Sequence, residues 1–368
     1  MSDGRTATFS IGPAEIGAGS PVYVVAEAGV NHDGRLSVAR ELIHAAADAE
    51  ADAIKFQVFK ADRLVTKEAP TAGYQQRHTK SQSQYEMLSR LELSQEEFAE
   101  LAIYAGHCGV EFLATPFSIP DVEFLVSLDV RAIKLASPDI VNGPLLDTVA
   151  DTGLPVIAST GAANFNEVTA AVDRFRGRST AGPLALLHCV SSYPASEWEA
   201  NLAAIGTLAR SFDCVAGFSD HTESLTIGGY AAAAGARIIE KHFTLDRGRP
   251  GPDHAFSLDP SMIATYIRNI RQAEQLLGSG KIDVTASQRD VRALSRGSVV
   301  AVRDIRTGES LSRSMLTIKR PGSGIPGIEI DALVGRSVQV DIPANEQVTW
   351  DAIGDAVVPQ LQAEPVGV

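Results

Sequence analysis

The sequence predicts an α/β protein: a (β/α)₈ barrel followed by a small β-rich domain. Three observations carry that expectation. Eight short apolar runs recur before residue 245, separated by amphipathic, alanine-rich stretches. Strands alternating with helices form βαβ units around a parallel sheet, and eight units in about 250 residues suit a closed barrel better than an open sheet. Polar, reactive side chains sit at the ends of the runs, where such barrels place their sites. Near residue 280 the texture changes to turn-rich, β-like sequence.

In chain order, VYVVAEAG (22–29) ends in Glu27 and precedes a helical segment, LSVARELIHAAADAE (36–50). DAIKFQVF (52–59) carries Lys55 and Gln57, and VEFLATPF (110–117), after the helix-like SQEEFAELAIYAGH (94–107), carries Thr115. AIKLAS (132–137) offers Lys134 and Ser137; PVIAST (155–160) offers Ser159 and Thr160; LALLHCV (184–190) offers His188. VAGFSDH (215–221) supplies Ser219 and His221, and RIIEKHFT (237–244) supplies Glu240 and His242. Residues two apart on a strand point to the same side, so Lys55/Gln57, Ser219/His221 and Glu240/His242 are same-face pairs. The stretch 60–93 exceeds an ordinary βα connection and is a candidate substrate loop. No GxGxxG follows the first run, which leaves a dinucleotide fold without support.

The expected division is a barrel over 1–280, a polar linker over 281–295, a β-rich domain over 296–356 and a loose tail over 357–368. The domain's β-like segments are RGSVVAVRDI (296–305), QVDI (339–342) and QVTWDAI (347–353), with a basic Gly/Pro turn, KRPGSGIPG (319–327). So small a domain could bury little core alone and is expected to dock on a barrel, its own or a partner's.

A net charge of −13 with no basic cluster argues against a nucleic-acid surface. No apolar run approaches the roughly 20 residues that cross a bilayer, and MSDGRTATFS does not read as a secretory signal. Cys108, Cys189 and Cys214 lack CxxC spacing, so free thiols in a cytoplasmic setting are expected.

Two imidazoles at strand ends, His221 and His242, can hold a divalent metal with positions open for substrate, or can be hydrogen-bonded structural histidines. A lysine inside an apolar strand is costly unless it meets an anion. Lys55 and Lys134, converging on one barrel mouth, therefore suggest a carboxylate or phosphate site; outward snorkelling is the alternative for either alone.

These residues sit in motifs that resemble the sialic acid synthase (N-acetylneuraminate synthase) family nearly end to end. They are AEAGVNHDG (26–34), IKFQ (54–57), SQYEML (83–88), ATPF (114–117), KLASPDI (134–140), STG (159–161), LLHCVSSYP (186–194), GFSDHT (217–222), EKHFTLD (240–246), RPGPDHAFSL (249–258) and, in an antifreeze-like (SAF) domain, KRPGSGI (319–325). The resemblance implies condensation of phosphoenolpyruvate with an open-chain N-acylhexosamine aldehyde, such as that of N-acetylmannosamine. The products would be a nine-carbon 2-keto-3-deoxy sugar acid and phosphate. It implies that Lys55, Thr115, Lys134, Ser137, Ser159 and Ser219 bind phosphoenolpyruvate, and that His221 and His242 hold manganese, with magnesium or cobalt as substitutes. Glu27, Gln57, Tyr193 and Asp253 would meet the sugar or a metal-bound water, and Ser191 stands near Tyr193 where some relatives carry asparagine. Arg320 would reach the acyl group from the second chain of a domain-swapped homodimer. A carboxylate must manage protons when water adds; Glu27 and Asp139 are the candidates.

Pro138 and Ala162 depart from the family pattern and leave the sugar open. A di-N-acetylated 6-deoxyhexose leading to legionaminic or pseudaminic acid is the alternative acceptor. A metal-free Schiff-base aldolase using Lys134 or Lys241 is a different class of chemistry. A barrel that only binds sugar would leave the histidine pair unexplained, and ice binding by the C-terminal domain would leave KRPGSGI unexplained.

Overall fold

The computed structural model describes residues 7–353 other than 74, 75, 77, 78 and 80–82. Two short strands come first, β1 (Phe9–Ile11) and β2 (Ala14–Ile16), paired antiparallel. Eight parallel strands follow: β3 (Tyr23–Gly29), β4 (Ala53–Val58), β5 (Glu111–Pro116), β6 (Ile133–Leu135), β7 (Val156–Ser159), β8 (Leu184–Cys189), β9 (Val215–Asp220) and β10 (Ile238–His242). Their hydrogen-bonded order is β5-β4-β3-β10-β9-β8-β7-β6, and the end strands β5 and β6 pack side by side, which brings the sheet round into a barrel. Each of the eight lies within the run that the sequence predicts.

The period of two along these strands sorts side chains between lumen and helix layer. Tyr23, Val25, Ala53, Leu113, Ile157, Leu187, Val215 and Ile238 form one inner cluster, while Val24, Ala26, Ile54, Phe56 and Ile239 belong to the outer core beneath the helices. The hairpin β1–β2 contributes buried Ile11 and Ile16 to the inner cluster. The sequence expectation begins at residue 22 and misses this hairpin, because each arm is only three residues long and presents one buried isoleucine.

The helices form where the apolar stripe and caps agree. Leu36–Asp48 buries Val38, Ala39, Leu42, Ile43 and Ala46 along one face. Gln95–Cys108 starts at a Ser94–Glu97 capping box and stops at Gly109, whose φ of 75° is cheap only without a Cβ. In the long excursion after β4, Phe59, Ala61, Met87, Leu88 and Leu91 share a small apolar cluster with Val30. Helices Ala61–Leu64 and Gln84–Ser89 lie in it, and parts of the predicted substrate loop fall outside the described residues.

A boundary between compact units falls after Ser279. The expected linker is not structureless: Thr285 and Gln288 form a capping box, followed by helix Arg289–Ser295. Beyond it, β11 (Ser298–Ala301) pairs antiparallel with β12 (Leu316–Lys319). This unit has its own core of Val299, Ile305, Leu311, Leu316, Leu333, Val338, Ile342 and Val348 among others, more than its length suggested. Two expected strands are reduced to isolated bridges, Ile305↔Ile342 and Val300↔Gln347, and Trp350–Ile353 is a 3₁₀ turn. The tail beyond 353 lies outside the described residues.

Candidate active site

Register brings the reactive side chains together. His242 pairs with Glu27 across β10 and β3, Glu27 with Lys55 across β3 and β4, and Gln57 with Thr115 across β4 and β5. On the other side of β10, Glu240 pairs with Ser219, which pairs in turn with Cys189. All lie at the C-terminal strand ends. Glu27, Lys55, Gln57, Thr115, Lys134, Ser137, Ser159, Tyr193, Ser219, His221 and His242 line one cavity together with Phe117, Ala136, Pro138 and Glu240. It measures about 80 Å³, against about 460 Å³ for a cleft elsewhere on the barrel. Its donor set, not its volume, marks it as the site.

The two lysines are buried and meet protein carboxylates. Lys55 Nζ lies 2.7 Å from Glu27 Oε2 and donates to Thr115 Oγ1 at 3.0 Å. Lys134 Nζ donates to Ser159 Oγ at 2.7 Å and to the Leu135 carbonyl at 3.0 Å. Glu240 Oε2 sits between them, 3.8 Å from Lys55 and 3.7 Å from Lys134, with no hydrogen bond to either, while its Oε1 accepts from Ser219 Oγ at 2.9 Å. The sequence placed Glu240 at a strand end without assigning it a role. Its spacing two before His242 was the available signal, since the two share a face.

These contacts separate the ionisation of neighbouring groups. Burial pushes Glu27 up to about 7, against the opposing pull of Lys55. Burial also penalises charge on Glu240, yet Lys134, Lys55 and the Ser219 hydroxyl overcome it and hold the carboxyl at about 2. Burial lowers Lys134, and the like charge of Lys55 adds to it against the opposing pull of Glu240 and Glu27. Lys55, beside two carboxylates, is raised in spite of its burial.

The histidines lie side by side, ring centroids 5.3 Å apart. His221 Nδ1 is 2.8 Å from the Val190 carbonyl, a contact that places the proton on Nδ1 and leaves Nε2 with its lone pair. His242 Nδ1 is buried without a hydrogen-bond partner among the described residues. Burial and the neighbouring His221 hold His242 well below the ordinary imidazole range, hence neutral. Tyr193 packs at a tilt against His221, ring centroids 4.3 Å apart, and Phe256 packs against His242 at 5.1 Å. Among the described residues no three His, Cys, Asp or Glu side chains form a metal cage. Burial pulls His221 down, yet Cys189 and the Val190 carbonyl raise it, so only His242 is held neutral; the two imidazoles still fit an ion that fills its remaining positions with water or substrate.

Four expected residues do not line the cavity. Asp139 lies on the 3₁₀ turn Ser137–Val141, where its Oδ1 accepts from Asn142 Nδ2 at 3.0 Å. Ser191 stands behind Gly161: a Cβ there would lie 2.2 Å from Ser191 Oγ and 2.9 Å from both Cys189 Sγ and Ser137 Oγ, so glycine lets the backbone approach these groups. Asp253, pushed to about 6 by burial, gathers with Glu27 and Gln57 around Gly29, which needs its φ of 54°. Arg320 is exposed in the C-terminal unit.

Lys241, the other Schiff-base candidate, points outward. Its Nζ is 2.8 Å from Asp220 Oδ2 and lies 5.4 Å from the Tyr266 ring, buried in the helix layer. His188 donates to the Ala200 carbonyl at 2.9 Å.

Residues 42–282 match the NeuB family and residues 296–354 match the SAF domain. The chain belongs to the NeuB family. An N,N'-diacetyllegionaminic acid synthase from Legionella pneumophila is 42% identical over 92% of this chain and 96% of its own. An N-acetylneuraminate-9-phosphate synthase from Mus musculus is 31% identical over 92% of this chain and 94% of its own. The crystal structure of an N-acetylneuraminic acid synthetase from Leptospira borgpetersenii, 37% identical, superposes with a TM-score of 0.70 over 78% of this chain and 95% of that one. This member of the family is thus an enzyme of the sugar-acid synthase type. No described helix is long and apolar enough to cross a membrane.

Proposed function

We propose that the enzyme joins phosphoenolpyruvate to the open-chain aldehyde of an N-acylated hexosamine, releasing phosphate and a nine-carbon 2-keto-3-deoxy sugar acid. The reading rests on the buried lysine pair, ringed by hydroxyls and set beside two histidines with free ring nitrogens. The name of the Legionella relative favours a di-N-acetylated 6-deoxyhexose as acceptor and a legionaminic-type product. N-acetylmannosamine is the second reading, favoured by the name of the Leptospira structure.

In this reading Lys55, Lys134, Thr115, Ser137, Ser159 and Ser219 bind the phosphate and carboxylate of phosphoenolpyruvate. Its methylene carbon forms the new C–C bond to the aldehyde carbon, and the C=O π electrons move to the aldehyde oxygen. Water then adds to C2, passing a proton to Glu27, whose raised pKa suits that transfer. Collapse breaks the C2–O bond to phosphate and leaves a ketone at C2. One proton of the water ends on the sugar hydroxyl and the other on phosphate. A divalent cation held by His221 and His242, manganese or in its place magnesium or cobalt, would supply Lewis-acid polarisation of the aldehyde oxygen. Gln57, Tyr193, Ser191 and Asp253 would orient the acceptor.

The test is a panel of mono- and di-N-acylated hexosamines assayed for phosphate release from phosphoenolpyruvate. One acceptor should stand out; no phosphate release with any of them overturns the reading. The proposal includes a homodimer in which Arg320 of one chain closes the barrel mouth of the other. Mixing an Arg320→Ala chain with a His221→Ala chain should restore activity, because one barrel then has both its histidines and a partner's arginine. No restoration under conditions proven to exchange subunits overturns the swap.

A further inference from the structure

The barrel has a second concave surface, at the end opposite the reaction cavity. A cleft of about 460 Å³ opens there between the β1–β2 hairpin, the starts of β3 and β5, and the helix Gln95–Cys108. That volume falls in the range of small-molecule sites. Its polar lining is Tyr23, Asp52, Glu111 and Asp129, with no lysine or arginine.

Two of the three carboxylates are already neutralised. Asp52 Oδ2 lies 2.9 Å from Arg271 Nη2, and Asp129 Oδ2 lies 3.4 Å from Arg131 Nη2. Glu111 is half-buried and makes no salt bridge among the described residues; burial raises its pKa, with only the more distant charge of Arg131 opposing. Beside it stands Tyr23, 3% exposed, whose Oη is buried without a hydrogen-bond partner among the described residues. After burial, the charges of Glu111 and Asp52 are what push this phenol up, so its oxygen stands in the field of both lining carboxylates. Buried polar atoms without a partner are uncommon in folded proteins, and a carboxylate held out of water wants a cation.

We propose that this cleft binds a small organic cation, whose ammonium pairs with Glu111 and donates to Tyr23 Oη. An anion would face the unpaired Glu111 carboxylate, with no lysine or arginine in the lining to hold it. An apolar ligand would leave Glu111 and Tyr23 unpaired. The inference is independent of the reaction proposed above, because Tyr23 and Glu111 begin β3 and β5, whose other ends carry Glu27 and Thr115.

The probe is putrescine, titrated calorimetrically into the full chain at roughly 0.15 M salt to suppress loose surface pairing, with 1,4-butanediol as uncharged control. One putrescine should bind per chain. Affinity should fall about tenfold in Glu111→Gln and about threefold in Tyr23→Phe, the scale of losing a charged partner and one hydrogen bond. In the wild-type protein, hydrogen exchange should slow on putrescine addition within residues 9–16 and 106–112. The wild-type exchange experiment decides the matter even where a variant fails to fold. Absence of binding at about 10 mM putrescine, equal affinity in folded Glu111→Gln, equal binding of the diol, or protection lying outside those segments overturns the proposal.

Discussion

Replacing Lys241 with Met tests both the packing and the chemistry, because this lysine is one residue from Glu240 and from His242 yet faces the opposite way. Lys241 is 1% exposed and its partner Asp220 is 0% exposed. Removing the ammonium strands a buried carboxylate, a change that costs roughly 3–5 kcal/mol in comparable buried pairs. Asp220 keeps two hydrogen bonds, from Tyr266 Oη at 2.9 Å and from the Thr222 amide at 2.8 Å, which favours the low end, about 3 kcal/mol. For a domain of this size each kcal/mol moves the melting temperature by about 2 °C, so the expected fall is about 6 °C. Adding Asp220→Asn removes the stranded charge and should recover much of the loss, a positive coupling in the double-mutant cycle. The assay pairs thermal melts with initial rates of phosphate release measured well below the melting range. The rate should stay within a few-fold of wild type, as expected for a side chain in the helix layer. A melt within about 1 °C of wild type would refute the ion-pair argument. An unchanged melt with activity lost more than a hundredfold, together with borohydride trapping on Lys241, would instead establish the Schiff-base chemistry.

Replacing Lys55 or Lys134 with Met should weaken phosphoenolpyruvate binding by about 2–4 kcal/mol, measured by calorimetry; unchanged affinity in both would put the anion elsewhere. Glu27→Gln should lower the turnover number by a factor on the order of 10² to 10⁴, and a rate near wild type would remove Glu27 from proton transfer. Chelation should abolish activity and manganese restore it, and His221→Ala should lose rate far more than stability; full turnover in excess chelator would contradict the metal reading. Burial holds His32 at about 4, below its ordinary 6.5. Folding therefore favours the neutral ring: that stability is present above pH 6.5 and lost as pH falls through 4. It amounts to at most about 3 kcal/mol, so His32→Gln should flatten the stability–pH curve across that window, and an unchanged slope would count against it.

By itself the sequence determined the barrel, its eight strands and the faces their residues share. Each of those follows from local periodicity: a two-residue alternation sorts lumen from helix layer wherever the strand is read. Hence Lys55, Lys134, Ser159, Ser219, His221 and His242 could be placed at one mouth before any coordinates existed. Only the tertiary structure decided what those residues meet there. Lys55 on β4 and Lys134 on β6 both approach Glu240 on β10, a contact across the lumen that no spacing along one strand encodes. Within the chain itself the lysines meet the protein's own carboxylates, Glu27 and Glu240. Asp139 and Lys241 show the same limit in the other direction. Each is close in sequence to a cavity residue, yet a 3₁₀ turn carries the first away and strand alternation turns the second outward. The β1–β2 hairpin is stable only because the inner cluster takes Ile11 and Ile16, so its three-residue arms gave no local signal. Local pattern sets which way a side chain points; closure of the barrel sets what it touches.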